Sequence, residues 1–207
     1  MTLKLCYAPG TISIAAALAL SEAGLDFEPV RVDFASGEQT KPDYHAINPK
    51  GRVPALITDQ GILTETGAIL DYIATLAPQA GLVPDDPFAA AKMREAMYYL
   101  ASTMHVNHAH GRRAIRWADQ EASHKDMLAK VPETMTDSCA YIENSVLQGP
   151  FVLGEALSLA DAYLYVVCTW LKGDGVDVAA FPKIEQFMQV MADRASVKSA
   201  VAAGMLA

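Results

Sequence analysis

The segment 48-NPKGRVPALITDQGILTETGAILDYIA-74 decides how this chain is read. Arg52-Val53-Pro54-Ala55 sets a proline at the opening of an apolar run, VPALITD, and a second run, GILTE, follows Asp59-Gln60-Gly61. Two β-prone runs around a tight polar turn predict an antiparallel strand pair. Beyond them Ile69, Leu70, Ile73 and Leu76 form the apolar stripe of a helix. The segment is a ββα unit.

Upstream, residues 2–7, TLKLCY, are β-prone and end at Ala8-Pro9-Gly10. Residues 12–23 carry Ile14, Leu18 and many alanines, a good helix sequence closed by Gly24. FEPVRVD at 27–33 alternates apolar and polar residues and predicts a second strand. This β-α-β connection is long enough for a parallel pair and should be right-handed. The polar stretch ASGEQTKPDYHAINPKG follows as loop with one irregular helical turn. Unit βαβ followed by unit ββα predicts a four-stranded mixed sheet with helices against it, a thioredoxin-like domain over residues 1–79.

At APQAGLVPDDP, residues 77–87, prolines, glycine and charge interrupt regular structure and mark a linker. After it no strand series appears. Helical patterns cover residues 88–118, 124–147, 158–171 and 182–202, so the fold class is α/β plus all-α, with a helical domain over 88–207. Ser158-Leu159-Ala160-Asp161 fits a capping box with aspartate in place of the usual glutamate. The helix it opens is apolar around much of its circumference and should be the central buried element.

Sixteen basic against 24 acidic residues give a formal charge of −8, which lacks the electrostatic footprint of a nucleic-acid binder. Cys6, Cys139 and Cys168 are odd in number and widely spaced, unlike a disulfide framework or a zinc knuckle. The apolar stretch ISIAAALALSEAG is too short to span a bilayer, and the first residues lack the order of a secretory leader. A cytoplasmic protein with no membrane association is expected. His105, His108 and His110 lack a nearby carboxylate or thiol to complete a metal set. Only Gly10 stands in the first strand-turn-helix, so no dinucleotide-binding spacing exists. No metal, flavin or nicotinamide cofactor is expected.

Three features converge on one sheet edge. In Tyr7-Ala8-Pro9-Gly10-Thr11-Ile12-Ser13 a strand end, a turn and a helix start gather backbone N–H groups and hydroxyls, suited to an anion or thiolate. Helix capping by Thr11 or Ser13 is the plain alternative. Val53-Pro54 is open to a cis bond, which would offer Val53's N–H and C=O to a peptide-like ligand. Glu65-Thr66-Gly67 joins a strand to a helix, where Glu65 can accept from an ammonium and Thr66 with the helix N-terminus can donate to a carboxylate. An amide-reading loop beside an amino-acid-reading corner fits a γ-glutamyl tripeptide.

YAPG, EAGLDFEPVRVD, NPKGRVPAL, LTETGAILDYIA and SLADAYLYVVCTW, in this order and spacing, resemble the bacterial beta-type glutathione transferases over nearly the whole chain. The resemblance implies a homodimer whose N-terminal domain binds glutathione as co-substrate and whose helical domain lines the second-substrate site. It implies that the backbone of Val53, beside Pro54, reads the cysteinyl part and that Glu65 and Thr66 hold the γ-glutamyl end. His105 matches a helical-domain histidine near the thiol. Tyr98 and Met104 stand where residues approach the partner subunit's glutathione.

Beta-type members typically carry cysteine where this chain has Ile12. Isoleucine can neither form a mixed disulfide nor donate to a thiolate. Thr11 is the preferred hydroxyl donor, with Ser13 and then Tyr7 as alternatives. The expected activity is transfer of glutathione to an apolar electrophile, with peroxide reduction as a side activity; a catalytically weak glutathione-binding or protein-interaction module is the alternative.

Overall fold

The computed structural model describes residues 2–206. Strands β1 (Lys4–Tyr7), β2 (Glu28–Arg31), β3 (Ala55–Thr58) and β4 (Gly61–Thr64) form one sheet in the order β2-β1-β3-β4. β1 runs parallel to β2, while β3 is antiparallel to both β1 and β4. This is the mixed sheet that the βαβ-ββα order predicts. Its register sets Cys6 opposite Ala55 and Ala55 opposite Thr64. The end of β1, the entry to β3 and the end of β4 therefore share one edge.

Helix α1 (Ser13–Glu22) connects the parallel pair, and every residue from Ser13 to Leu20 is buried. It packs on β1, on α3 (Thr66–Leu76) and on α9 (Ala195–Ala202). A helix covered on several sides carries no polar face, which explains its near-continuous apolar sequence. The short α2 (Pro42–His45), started by its proline, lies in the loop before β3.

The chain divides into two compact units, one running to Pro84 and resuming at Ala192, the other covering Asp85–Met191. The expected boundaries, 1–79 and 88–207, meet a different partition at the far end. Residues from Ala192 onward return to the first unit because α9 docks on α1. Arg194 donates from Nε and Nη2 to the two Glu22 oxygens, each at 2.7 Å, and Ser196 Oγ donates to Glu22 Oε1 at 2.5 Å.

The second unit contains α4 (Pro87–Tyr99), α5 (His105–Arg113), α6 (Glu121–Tyr141), α7 (Leu159–Cys168) and α8 (Pro182–Ala192). The Asp86 carboxylate caps α4, accepting from the Ala89 N–H at 2.8 Å. A wide π turn, Leu100–Met104, joins α4 to α5, and a second, Ile142–Val146, ends α6. Glu143 in that second turn accepts from the N–H groups of Lys183 and Ile184 at 3.0 Å each, satisfying the start of α8. Among the described residues no helix is long and apolar enough to cross a membrane.

All ten residues of α7 are buried, as its sequence predicts, and the capping box at Ser158 and Asp161 is formed. The Asp161 carboxylate accepts from the N–H of Val152, the N–H of Ser158 and the Ser158 hydroxyl, each at 2.7 Å. It thereby ties the turn before α7 to the helix. Burial pushes this carboxyl up to about 6, against the pull of those donors.

Asp161→Ala leaves these donors unpaired inside the protein and is expected to cost about 3 kcal/mol or more, measured by denaturant unfolding. Between about pH 4 and 6 the folded protein holds a proton on Asp161 that the unfolded chain has released. The stability of wild type relative to Asp161→Asn should therefore fall as pH rises through that window, by up to about 3 kcal/mol.

Candidate active site

Where β1 ends, the Ala8 carbonyl gathers three donors: the Thr11 N–H at 3.3 Å, Thr11 Oγ1 at 2.8 Å and Ser13 Oγ at 3.3 Å. Ser13 Oγ also accepts from the Ala8 N–H at 3.2 Å. The two hydroxyl oxygens are 2.7 Å apart. Thr11 is half-buried at the loop, whereas Ser13 is fully buried behind it. Ser13 thus fastens the loop from within, and Thr11 carries the accessible hydroxyl. Were an anion to face Thr11, its proton could turn from Ala8 outward while Ser13 donated to Thr11 from behind. Tyr7 is buried at the strand end, and Ile12, 6% exposed, belongs to the core.

The entry to β3 has the expected form. Val53-Pro54 is cis, and the ladder begins only at Ala55. Among the described residues the N–H and C=O of Val53 form no hydrogen bond. The loop is fixed one residue earlier, where the Arg52 carbonyl accepts from the Tyr44 hydroxyl at 2.8 Å and from Asn48 Nδ2 at 2.6 Å. Gly51 is required here. Its φ is +61°, and a Cβ would lie 2.8 Å from the Gln39 carbonyl oxygen.

At the end of β4, Glu65 has φ +71° and ψ +124°, the one non-glycine residue with positive φ among those described. Its carbonyl accepts from Ile69 and starts α3, whose first turn carries no acidic residue to offset the helix dipole. Thr66 is buried at that N-terminus. The Glu65 carboxylate accepts from Lys50 Nζ at 2.5 Å, and the same ammonium donates to Thr64 Oγ1 at 2.8 Å. Lys50 and Glu65 thus form an exposed ion pair at this corner. The sequence reading missed Lys50, whose only signal was its place in NPKG.

In the helical unit His105 opens α5 directly after the π turn, its ring 5.0 Å from that of Trp170. His108 stacks on the same indole at 4.2 Å and sets Nδ1 2.8 and 2.9 Å from the two Asp174 oxygens. His110 meets Trp117 edge-on at 4.6 Å. Among the described residues no group of three His, Cys, Asp or Glu side chains is placed to hold a metal. Tyr98 is 64% exposed, but Met104 is 0% exposed. Met104 closes the π turn.

All three cysteines are free and buried. Burial and then the Glu38 charge raise the Cys6 thiol, burial foremost pushes Cys139 up to about 12, and Cys168 lies well above its usual range. None is a nucleophile at neutral pH.

A thioredoxin-like sheet with a cis-proline entry, followed by a bundle of helices, defines the class of protein. Residues 1–75 match the glutathione S-transferase N-terminal domain and residues 108–203 the glutathione S-transferase C-terminal domain. The chain is 32% identical over 204 residues to glutathione S-transferase GstA of Escherichia coli O157:H7, covering 97% of this chain and 98% of that protein. A glutathione transferase homolog from Sulfitobacter, solved with bound glutathione, is 64% identical with a TM-score of 0.98 over 99% of each chain. A sphingomonad glutathione S-transferase complexed with glutathione is 34% identical with a TM-score of 0.85, covering 99% of this chain and 100% of that one. The chain belongs to the glutathione S-transferase family.

Glu65→Gly and Glu65→Ala both remove the carboxylate, but only glycine relieves the positive φ. The glycine variant should be the more stable by about 1 kcal/mol in denaturant unfolding, the reverse of the usual order. A thiol reagent added to native protein should label almost nothing within minutes, whereas the unfolded chain should react at all three cysteines.

Proposed function

We propose that the protein conjugates the thiolate of glutathione to an apolar electrophile, with Thr11 as the hydroxyl that stabilises the thiolate. The observation that carries this reading is the row Cys6–Ala55–Thr64. Two interstrand spacings cover roughly 10 Å, about the reach of three extended residues. The thiol loop, the free Val53 backbone and the Glu65-Thr66 corner are therefore spaced for the cysteinyl and γ-glutamyl parts of one tripeptide. Its α-ammonium would take the place that Lys50 Nζ holds on Glu65.

Thr11 donates to sulfur and so favours the ionised thiol; the thiolate then attacks the electrophile, a C–S bond forms and the leaving group departs with its electron pair. Lowering the thiol pKa by one unit takes about 1.4 kcal/mol of selective stabilisation, within the range of one hydrogen bond to a charge. Ile12 cannot form a mixed disulfide with glutathione, and the proposed step needs no covalent enzyme intermediate. The resemblance to the beta-type transferases supports reading the chain as a relative of theirs that uses a hydroxyl in place of cysteine chemistry. His105 is proposed, on the family pattern, to serve the same thiol. A homodimer in the cytoplasm, as the family resemblance implies, belongs to the same reading.

Thr11→Ala should raise the bound thiol's titration midpoint by about one unit, lowering kcat/KM roughly tenfold below that midpoint, while Thr11→Ser keeps both near wild type. An unmoved midpoint in Thr11→Ala would sink the assignment. Ser13→Ala should shift the midpoint less but cost about 1–3 kcal/mol of stability, because the buried Ala8 N–H loses its acceptor.

A further inference from the structure

Gly10, with φ +66°, turns the chain into Thr11, and its N–H donates to the carbonyl of Met205 at 2.9 Å. Met205 and Leu206 are buried, although they follow the last helix by only a few residues. The turn that brings them there is Gly204, with φ +67°, after which the Met205 N–H donates to the Ala200 carbonyl at 2.9 Å. The other end of this segment is fastened too, where Arg194 and Ser196 hold Glu22, the last residue of α1. The segment from Arg194 to Leu206 thus grips α1 at its final residue and the loop leading into its first turn.

Ser13 and the Ala8 carbonyl fasten the Thr11 side of this loop, whereas Pro9 and Gly10 are exposed. The β1–α1 loop carries the accessible Thr11 oxygen, and a rotation at Gly10 swings that oxygen directly. An N–H donor held by a buried carbonyl removes this freedom.

We propose that Met205 is a positioning residue for thiolate formation, its carbonyl holding Gly10 so that the β1–α1 loop presents its donors to sulfur. The proposal rests on the glutathione-thiolate reading above and adds a part of the chain that lies outside the sheet edge. Met205 acts through its main chain, so its side-chain identity is secondary to the path that Gly204 sets.

Two variants test it. Gly204→Val strains the positive-φ turn without meeting any atom within 4 Å of its Cβ, and so redirects the Met205 carbonyl with little other disturbance. A chain lacking residues 204–207 removes the carbonyl altogether. For each, the bound glutathione thiol is titrated by its ultraviolet absorbance and the glutathione dissociation constant is measured. The expected result is a midpoint raised by about 0.5 unit or more, that is, about threefold less thiolate below the midpoint, with the dissociation constant within about twofold of wild type. A merely structural role would change stability without moving that midpoint.

An unchanged midpoint in Gly204→Val overturns the proposal, and this variant decides alone if the shortened chain does not fold. Thr11→Ala with residues 204–207 intact separates the two readings. A shift there with silent tail variants leaves Thr11 standing and removes Met205. A shift in the tail variants with a silent Thr11→Ala removes the threonine assignment, and Met205 then acts through the loop's backbone donors.

Discussion

The ladder across β1, β3 and β4 sets distances that no side chain has to enforce. Cys6, Ala55 and Thr64 lie abreast, so the next residues of three separate connections emerge together, each about one interstrand spacing from its neighbour. A one-residue slip of β3 would exchange the faces taken by Ala55 and Leu56 and carry Val53 away from the end of β1. The apolar faces of Leu5 and Leu56, both fully buried, oppose such a slip. The candidate site is therefore a by-product of core register. Its side chains decorate positions that packing has already fixed.

Much of this was legible because the physical signals are local. Strand, turn and helix in residues 48–74 are encoded by alternation, Asp59-Gln60-Gly61 and a stripe at helical spacing, and each element appears within a few residues of its expected place. The capping box at Ser158 is equally short-range. The return of α9 to the first unit was not legible, because its contacts join residues more than 170 positions apart. An arginine and a serine near the end of a helical pattern do not announce a glutamate near the start. The π turn at Leu100–Met104 was not legible either: it changes the side that each residue presents and has no clear compositional mark.

Ile12 illustrates how packing and chemistry divide neighbouring positions. Thr11 stays partly accessible while Ile12 and Ser13 are buried, one in apolar surroundings and the other against Ala8. Isoleucine at this point is buried at the base of α1, and the loop from Ala8 to Ser13 carries no redox-active side chain. The three cysteines elsewhere do not compensate, since burial keeps each as a thiol. The chemistry proposed above rests instead on hydroxyls and backbone donors, which can hold charge without forming bonds.

The π turn at Leu100–Met104 gives the helical unit a property that plain α-helix lacks. An uninterrupted helix advances about 100° per residue, so one surplus residue resets the angular phase of everything after it. Removing a single residue between Leu100 and Met104 would restore ordinary helix and rotate the stretch His105–Arg113 by roughly that angle. His105 and His108 would both leave the Trp170 indole, and a different pair of side chains would inherit it. The turn works as a dial: one codon lost or gained selects which face of the helix is delivered, with the rest of the sequence unaltered.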